Sequence, residues 1–172
     1  MAMEDRNSVS FDSVLVETTD PVVLSRAVEG VHTMYLTVEG EQESLKLLIE
    51  NASYHISGSL TDPEVSTDSK AQNNLNAYNE KMEPITHRMA GLVEQLRSGE
   101  YTAKRDSLLE LYYALNEEKS ALDSSYILEN PSSHASVLAL RGTFYRLDID
   151  ELETALSSFD ASLQEMEEYK YM

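Results

Sequence analysis

The chain of 172 residues contains no cysteine and no tryptophan. The absence of cysteine excludes, within this chain, a disulfide framework, a thiolate metal site, a cysteine nucleophile and a C-x-x-C redox centre. It leaves the compartment open, because reducing and oxidising environments both contain cysteine-free proteins. The start, "MAMEDRNSVSFDSV", has no signal-type apolar core, and no run approaches the roughly eighteen apolar residues of a membrane-spanning helix. We therefore expect no transmembrane segment in this chain.

Basic residues are also scarce, with 13 Lys and Arg against 31 Asp and Glu and a net charge of -18. The cations are scattered among acidic residues, as is typical of solvated helix faces. Phosphate binding requires clustered Lys and Arg, so we expect no nucleic-acid partner. The hydrophobic fraction of 41% is close to the globular average, which indicates a folded protein of one domain or two closely packed subdomains.

The first sixty residues contain short segments rich in β-branched and aromatic residues, which are typical of β-strands. Five strands are predicted, over residues 12–17, 21–29, 32–40, 43–50 and 53–60. In the third, Met34, Leu36 and Val38 share one face, which indicates a sheet with one buried side. We expect an antiparallel meander of about five strands that forms a β subdomain over residues 1–66.

A long helix is predicted after this sheet. Ser69 and Gln72 have the spacing of a capping box, in which each side chain satisfies a backbone N–H at the helix start. Pro84 predicts a kink near Lys81, because proline lacks an N–H and presses on the carbonyl four residues earlier. The helix follows an apolar seam in steps of three and four: Leu75, Tyr78, Met82, Ile85, Met89, Leu92 and Leu96.

A second long helix is predicted over about residues 102–128. Gly99 in "SGEY" has the position of a left-handed C-terminal cap for the first helix. Because the connection is so short, the two helices must form an antiparallel hairpin over about residues 69–128. The second helix has its own apolar seam, formed by Leu108, Tyr112, Leu115, Leu122 and Tyr126.

Short helices are predicted over about residues 132–172, so residues 67–172 form an α-helical subdomain. Asp148 and Glu151 have capping-box spacing, flanked by a hydrophobic staple from Leu147 to Leu152. Asp160 is predicted to start the last segment, and the final "EMEEYKYM" contains no helix terminator, so we expect it to be truncated. The whole chain is predicted to be a single compact α+β unit.

The segment "DSSYILENPSSHAS" at residues 123–136 resembles a hydrolase signature because serines stand beside a histidine and acids. Catalytic triads join distant segments, however, and Ser132 or Ser133 next to His134 would point in a different direction on a helix. No nucleophile elbow or S-x-x-K motif is present. We interpret the segment as a corner in which Asn130 before Pro131 ends one helix and either Asn130 or one of Ser132 and Ser133 caps the next.

Other candidate sites have weak sequence signals, and we assign no catalytic, cofactor or metal residues. His32 and His55 fall in strands, and Glu83 with His87 forms an i, i+4 pair without the H-E-x-x-H motif. The acidic stretch "TDPEVSTDSKAQNN" lacks the order of a calcium loop. "NAS" at 51–53 fits a glycosylation acceptor by chance spacing. Tyrosines on the helical seams are expected to be core residues.

The quoted motifs occur in an order that resembles a known family. "DSVLVETTDPVVLSRAVEGVHTMYLTVEG", "LKLLIENASYHISGSLTDPEVSTDSKAQNNLNAYNEKMEPI" and "ALDSSYILENPSSHASVLALR" are similar to the uncharacterised N-terminal domain of TlpA/AhpC-like thiol-disulfide oxidoreductases from Bacteroidetes. The resemblance covers roughly residues 12–165 and implies that an early β-hairpin is missing. It implies a signal segment upstream, a thioredoxin-like domain with C-x-x-C downstream, and a periplasmic location in the cell envelope.

Three functional hypotheses follow. The first is a non-catalytic accessory domain that positions or dimerises a thioredoxin-like domain, or binds its partner proteins. The second is a free-standing envelope protein that binds a peptide or small ligand through the sheet or the helical hairpin. The third is a cysteine-independent enzyme, which would need a perturbed acid or base in a deep pocket.

Overall fold

The computed structural model describes residues 2–4, 10–13, 23–25, 27–98 and 104–172, and it has the predicted α+β class. Antiparallel β-sheets are followed by a long helical hairpin and short C-terminal helices. The chain divides into two compact units, Met1–Asn76 and Ala77–Met172. The sequence places this division at residues 66 and 67, whereas the units divide inside the first long helix.

The described strands form two sheets rather than the single meander expected. The bounds of the strands are β1 Ala2–Glu4, β2 Ser10–Ser13, β3 His32–Thr37, β4 Ser44–Ile49, β5 Tyr54–Gly58 and β6 Pro63–Thr67. The first sheet has four antiparallel strands in the order β2-β1-β3-β4, and the second is the hairpin of β5 and β6. The predictions of strands at 32–40, 43–50 and 53–60 are therefore confirmed.

The predicted strand at 21–29 is wrong for the residues that the structure describes there, 23–25 and 27–29, none of which is in a strand. The backbone of Val28 forms two hydrogen bonds to the side chain of Asn51, at 2.9 Å to Oδ1 and 2.6 Å from Nδ2. A side-chain amide thus satisfies the groups that a neighbouring strand would satisfy. Of the predicted strand 12–17, only the part up to Ser13 lies within the described residues.

The buried face of the four-stranded sheet supplies the core of the β unit. Met34 and Leu36 of β3 are buried with Leu47 and Ile49 of β4, as predicted for the buried face. Val38, which was predicted to share that face, lies beyond the end of β3 and is 37% exposed, and Leu48 on the opposite face of β4 is also fully buried, so the sheet does not have one buried side alone. Tyr54 and Val65 of the hairpin pack against this cluster. The hairpin turns tightly at Gly58, where φ is +85° and an added Cβ would lie 2.4 Å from the Asp62 carbonyl oxygen. Only glycine fits that position without strain.

The first long helix, α1, spans Lys70–Ser98, and its start is fixed by the β unit. Ser69 Oγ accepts the Gln72 N–H at 3.0 Å, as predicted for an N-cap. The Gln72 side chain does not complete the capping box, because its Oε1 accepts the Leu48 N–H of β4 at 2.7 Å. Thr67 Oγ1 takes its place by accepting the Ser69 N–H at 3.0 Å. Glu50 Oε1 accepts from Ser69 Oγ at 2.5 Å and from the Ala71 N–H at 3.2 Å.

The second long helix, α2, spans Arg105–Glu129 and lies antiparallel to α1. Tyr78 of α1 contacts Asp123 of α2, and further along α1 Arg88 pairs with Glu118, so the two helices run in opposite directions. The helix α1 continues through Pro84, and the kink near Lys81 stays a prediction. The predicted glycine cap at Gly99 lies outside the described residues.

Three short helices and two 3₁₀ turns complete the chain. They are α3 His134–Thr143, a turn at Phe144–Arg146, α4 Ile149–Ser157, a turn at Ala161–Glu165, and α5 Glu167–Lys170. The capping box of α4 is confirmed, since Asp148 Oδ1 accepts the Glu151 N–H at 2.8 Å and Glu151 Oε2 accepts the Asp148 N–H at 3.1 Å. Asp160 directly precedes the second 3₁₀ turn, as predicted.

Candidate functional site

The serine-rich segment forms the corner between α2 and α3. Asn130 ends α2, and its side chain donates a 2.9 Å hydrogen bond to the Tyr126 carbonyl oxygen. Ser133 caps α3 by accepting the Ala135 N–H at 3.2 Å, and it is only 4% exposed. Ser136 Oγ donates to the Asn130 carbonyl oxygen at 2.7 Å. These hydroxyls satisfy backbone groups at the corner, in agreement with the structural interpretation of the segment.

The histidines and acids singled out in the sequence do not form a metal site. His32 lies in β3 and His55 in β5, which belong to different sheets. Glu83 and His87 are both exposed on α1. Within the ranges that the structure describes, no group of three His, Asp or Glu side chains is placed to hold a metal ion.

The glycosylation-type motif and the acidic stretch have structural roles. The Asn51 amide nitrogen, which a glycan would modify, donates to the Val28 carbonyl oxygen. In the acidic stretch, Asp68 Oδ1 accepts the Ser53 N–H at 2.8 Å, and Thr67 Oγ1 donates to the Ser53 carbonyl oxygen at 2.6 Å. These side chains join the two ends of the β5–β6 hairpin.

A buried carboxylate that the sequence analysis did not identify lies inside the helical hairpin. Asp123 is 0% exposed; its Oδ1 accepts a 2.7 Å hydrogen bond from Tyr78 Oη, and its Oδ2 lies 2.7 Å from Lys119 Nζ. A buried charge requires such partners, because an isolated carboxylate would lose its solvation. Lys119 occupies a seam position of α2, four residues after Leu115, and Asp123 follows it by four residues. A charged pair on an otherwise apolar seam is the sequence signal that indicates a buried carboxylate here.

The pKa of Tyr78 is raised above its ordinary value by burial, and further by the hydrogen bond and the negative charge of Asp123. The phenol therefore stays neutral and acts as a hydrogen-bond donor. Its ring contacts Tyr126 edge-on, with 5.0 Å between the ring centroids. A neutral phenol that donates to a buried carboxylate on the facing helix joins the two helices of the hairpin.

The other end of the hairpin is much less covered. On the α1 seam, Met82 and Ile85 are 3% exposed, whereas Met89, Leu92 and Leu96 are only half-buried. Here an open groove of about 340 Å³ separates the two helices. It is lined by Arg88, Gly91, Leu92 and Gln95 of α1 and by Leu111, Ala114, Leu115 and Glu118 of α2.

The groove is apolar at its centre and neutral at its rim. Leu111 is 54% exposed beside it. The Arg88 guanidinium lies 3.8 Å from the Glu118 carboxylate across the groove, and both side chains are more than half exposed. An exposed leucine next to a shallow apolar groove is typical of a surface that contacts another helix. We refer to the groove and its lining residues as the hairpin groove.

A scan against protein-family models, a search of curated proteins and a search of solved structures found no match to the chain. The resemblance to the TlpA-associated domain therefore rests on the sequence motifs alone. Of the helices in the described ranges, none combines the length and apolar character that crossing a bilayer requires.

Proposed function

We propose that this chain is a non-catalytic interaction domain of a cell-envelope thiol-disulfide oxidoreductase of the TlpA-like type. In this proposal a thioredoxin-like domain of the same protein carries the C-x-x-C chemistry. The present domain positions or dimerises that redox domain, or binds its partner proteins, on the periplasmic side of a Gram-negative cell envelope. The order of the sequence motifs supports the redox context.

The hairpin groove is the observation that supports an interaction role. The groove leaves Leu111 in water, although burying a leucine side chain is worth about 1.5–3 kcal/mol. The polar groups inside the hairpin satisfy one another, and the pair that lines the groove, Arg88 and Glu118, is exposed and mutually neutralised. Covering such a surface removes apolar area from water and so lowers the free energy, whereas the surface offers few groups for bond-breaking chemistry.

The first experiment is to read the complete coding sequence around this chain. A signal segment upstream and a C-x-x-C thioredoxin-like domain downstream are expected. A reading frame without any thioredoxin-like domain would overturn the redox context.

The second experiment separates the accessory role from catalysis. The complete protein and its isolated thioredoxin-like domain should reduce a small disulfide substrate at similar rates, because this chain has no thiol. The complete protein should differ from the isolated domain in self-association or in its ability to bind protein substrates. Substrate turnover by the isolated chain at a rate that survives repurification would contradict the non-catalytic proposal.

A free-standing binding protein is the second candidate, and the size of the hairpin groove favours it. A volume of about 340 Å³ is at the lower end for sites that hold small molecules. An apolar ligand or peptide that occupies the groove should raise the melting temperature of the isolated chain. The variant Leu92→Glu should abolish that rise, while Ile149→Glu, at an exposed site outside the groove, should retain it.

A further inference from the structure

One stripe along α2 has opposite charges at equal distances on the two sides of Leu111. Helical spacing places Ser107, Leu111, Ala114 and Glu118 of α2 along one face, and the last three line the hairpin groove. Lys104, the N-cap residue directly before α2, continues this face at its start. Lys104 lies seven residues before Leu111, and Glu118 lies seven residues after it. Each charged residue is therefore about 10 Å from Leu111 along the helix axis, on opposite sides.

We propose that the hairpin groove binds a second copy of this chain, with the two α2 helices antiparallel and a two-fold axis at Leu111. In that arrangement a residue n positions before Leu111 faces the residue n positions after it on the other copy. Lys104 of each copy then faces Glu118 of the other, so the interface contains two identical ion pairs. The inference extends the proposed function, because it identifies the partner that the groove accepts.

Charge is the reason to expect a second copy at this face. Two chains with a net charge of -18 repel each other over most of their surface. Beside the groove the cations and carboxylates balance, because Arg88 pairs with Glu118 and Lys81 pairs with Glu129. Lys104 forms no ion pair with any residue that the structure describes. It can therefore approach Glu118 of the second copy, whose side chain is 55% exposed although it lies 3.8 Å from its own Arg88.

The shape of the groove fits the same arrangement. Leu111 is an exposed apolar projection, and the neighbouring Gly91 and Ala114 are the smallest residues of the lining. A Cβ added at Gly91 would meet no atom within 4 Å, so there is open space above it. With the axis at Leu111, the two Leu111 side chains contact each other, and the open space beside them at Gly91 and Ala114 allows the second helix to approach closely.

The oligomeric state of the 172-residue chain tests the proposal, measured by sedimentation velocity over a concentration series. The wild type is expected to dimerise. Leu111→Glu should give a monomer with unchanged helical circular dichroism, because it places a charge on the symmetry axis. The matched control is Leu128→Glu, the same change on the same helix at a site that is 74% exposed and outside the stripe. It should remain dimeric.

A charge-swap experiment tests the antiparallel geometry. Lys104→Glu and Glu118→Lys should each weaken the homodimer by about tenfold, since each replaces two attractive pairs with two repulsive ones. Mixing the two single variants should restore dimers, because both cross-chain pairs in the mixed dimer are then attractive. A parallel pairing would place residue 104 opposite residue 104 and residue 118 opposite residue 118. The wild type would then already contain two repulsive pairs, and neither single variant should weaken the dimer. The weakening by the single variants therefore distinguishes the two orientations.

Three results would overturn the proposal: a wild type that stays monomeric, a dimer that survives Leu111→Glu, or single charge variants that dimerise as tightly as the wild type. The last two would place the self-contact elsewhere or in another orientation. None of them bears on the presence of a thioredoxin-like domain in the reading frame. Conversely, a reading frame without that domain would remove the proposed redox context and leave a Leu111-dependent dimer intact.

Discussion

Tyr78 of α1 donates a 2.7 Å hydrogen bond to the buried carboxylate of Asp123 on α2. Because Lys119 holds the other carboxylate oxygen at 2.7 Å, Asp123 carries a charge that is satisfied from both helices of the hairpin. This end of the hairpin is therefore closed by a complete polar network, whereas the groove end is open. The contrast separates the part of the hairpin that maintains the fold from the part available for contacts.

Replacing Tyr78 by phenylalanine should destabilise the protein by about 2 kcal/mol, since hydrogen bonds to charged groups contribute about 1.5–3 kcal/mol. The cost arises because Asp123 stays buried and loses one of its partners. Urea denaturation at neutral pH measures the change. Tyr113→Phe is the matched control on α2, because its phenol is 61% exposed and its loss should change stability by less than about 0.5 kcal/mol. Equal effects of the two changes would contradict the role of the network.

The same bond predicts a specific sensitivity to alkaline pH. Burial and Asp123 raise the pKa of Tyr78 in the folded state, so the unfolded state loses the phenolic proton first, near pH 10. The contribution of the Tyr78 phenol to the free energy of unfolding is fully present below about pH 10. It declines at higher pH, because the folded state then binds more protons than the unfolded state.

The slope attributable to Tyr78 is at most about 1.4 kcal/mol per pH unit. The free energies of unfolding of wild type and Tyr78→Phe, measured by denaturation from pH 8 to about pH 11, should therefore converge as the pH rises. Tyr113→Phe should follow the wild type throughout. If the difference in free energy of unfolding between wild type and Tyr78→Phe stayed constant over this pH range, folding would not raise the pKa of the Tyr78 phenol.

The repeating apolar positions predict the two long helices. The features that the sequence does not predict depend on contacts between single side chains that lie far apart in the chain. The seams of α1 and α2 and the corner at Asn130 follow from spacing and local capping. The i, i+4 spacing of Lys119 and Asp123 on the seam of α2 is a local signal of a charged pair. The partner of Asp123 on α1 is not predictable in this way, because Tyr78 lies 45 positions away and local patterns do not contain a partner at that distance.

The two sheets illustrate the same limit at the level of strands. β6, Pro63–Thr67, was not predicted, because its short run begins with proline and lies in an acidic stretch. β5 pairs with β6 and not with β4, since Tyr54 Oη donates to the Leu48 carbonyl oxygen and accepts the Glu50 N–H. A side chain thus occupies the edge of β4 where a continuous meander would have placed β5.

Thr33 of β3 has a buried hydroxyl without a hydrogen-bond partner among the residues that the structure describes. Thr33→Val should therefore stabilise the protein, by about 1 kcal/mol, because it replaces an unsatisfied polar group with a methyl group of similar shape. Thr67→Val is the matched opposite case. Its hydroxyl donates to the Ser53 carbonyl oxygen and accepts the Ser69 N–H, so its loss should destabilise by about 1–3 kcal/mol. Chemical denaturation of both variants measures the two signs, and two changes of the same sign would contradict the assignment.

The corner between α2 and α3 supplies a prediction with adjacent serines as test and control. Ser133 is buried and caps α3, whereas Ser132 is exposed. Ser133→Ala should lower the free energy of unfolding by about 1 kcal/mol, which is typical of a lost N-cap, and Ser132→Ala should leave it nearly unchanged. Any activity of a linked domain should survive both changes, because the cap acts on α3 alone. If either alanine variant abolished a measured hydrolysis while stability stayed constant, the corner would be a catalytic site and the structural role would be wrong.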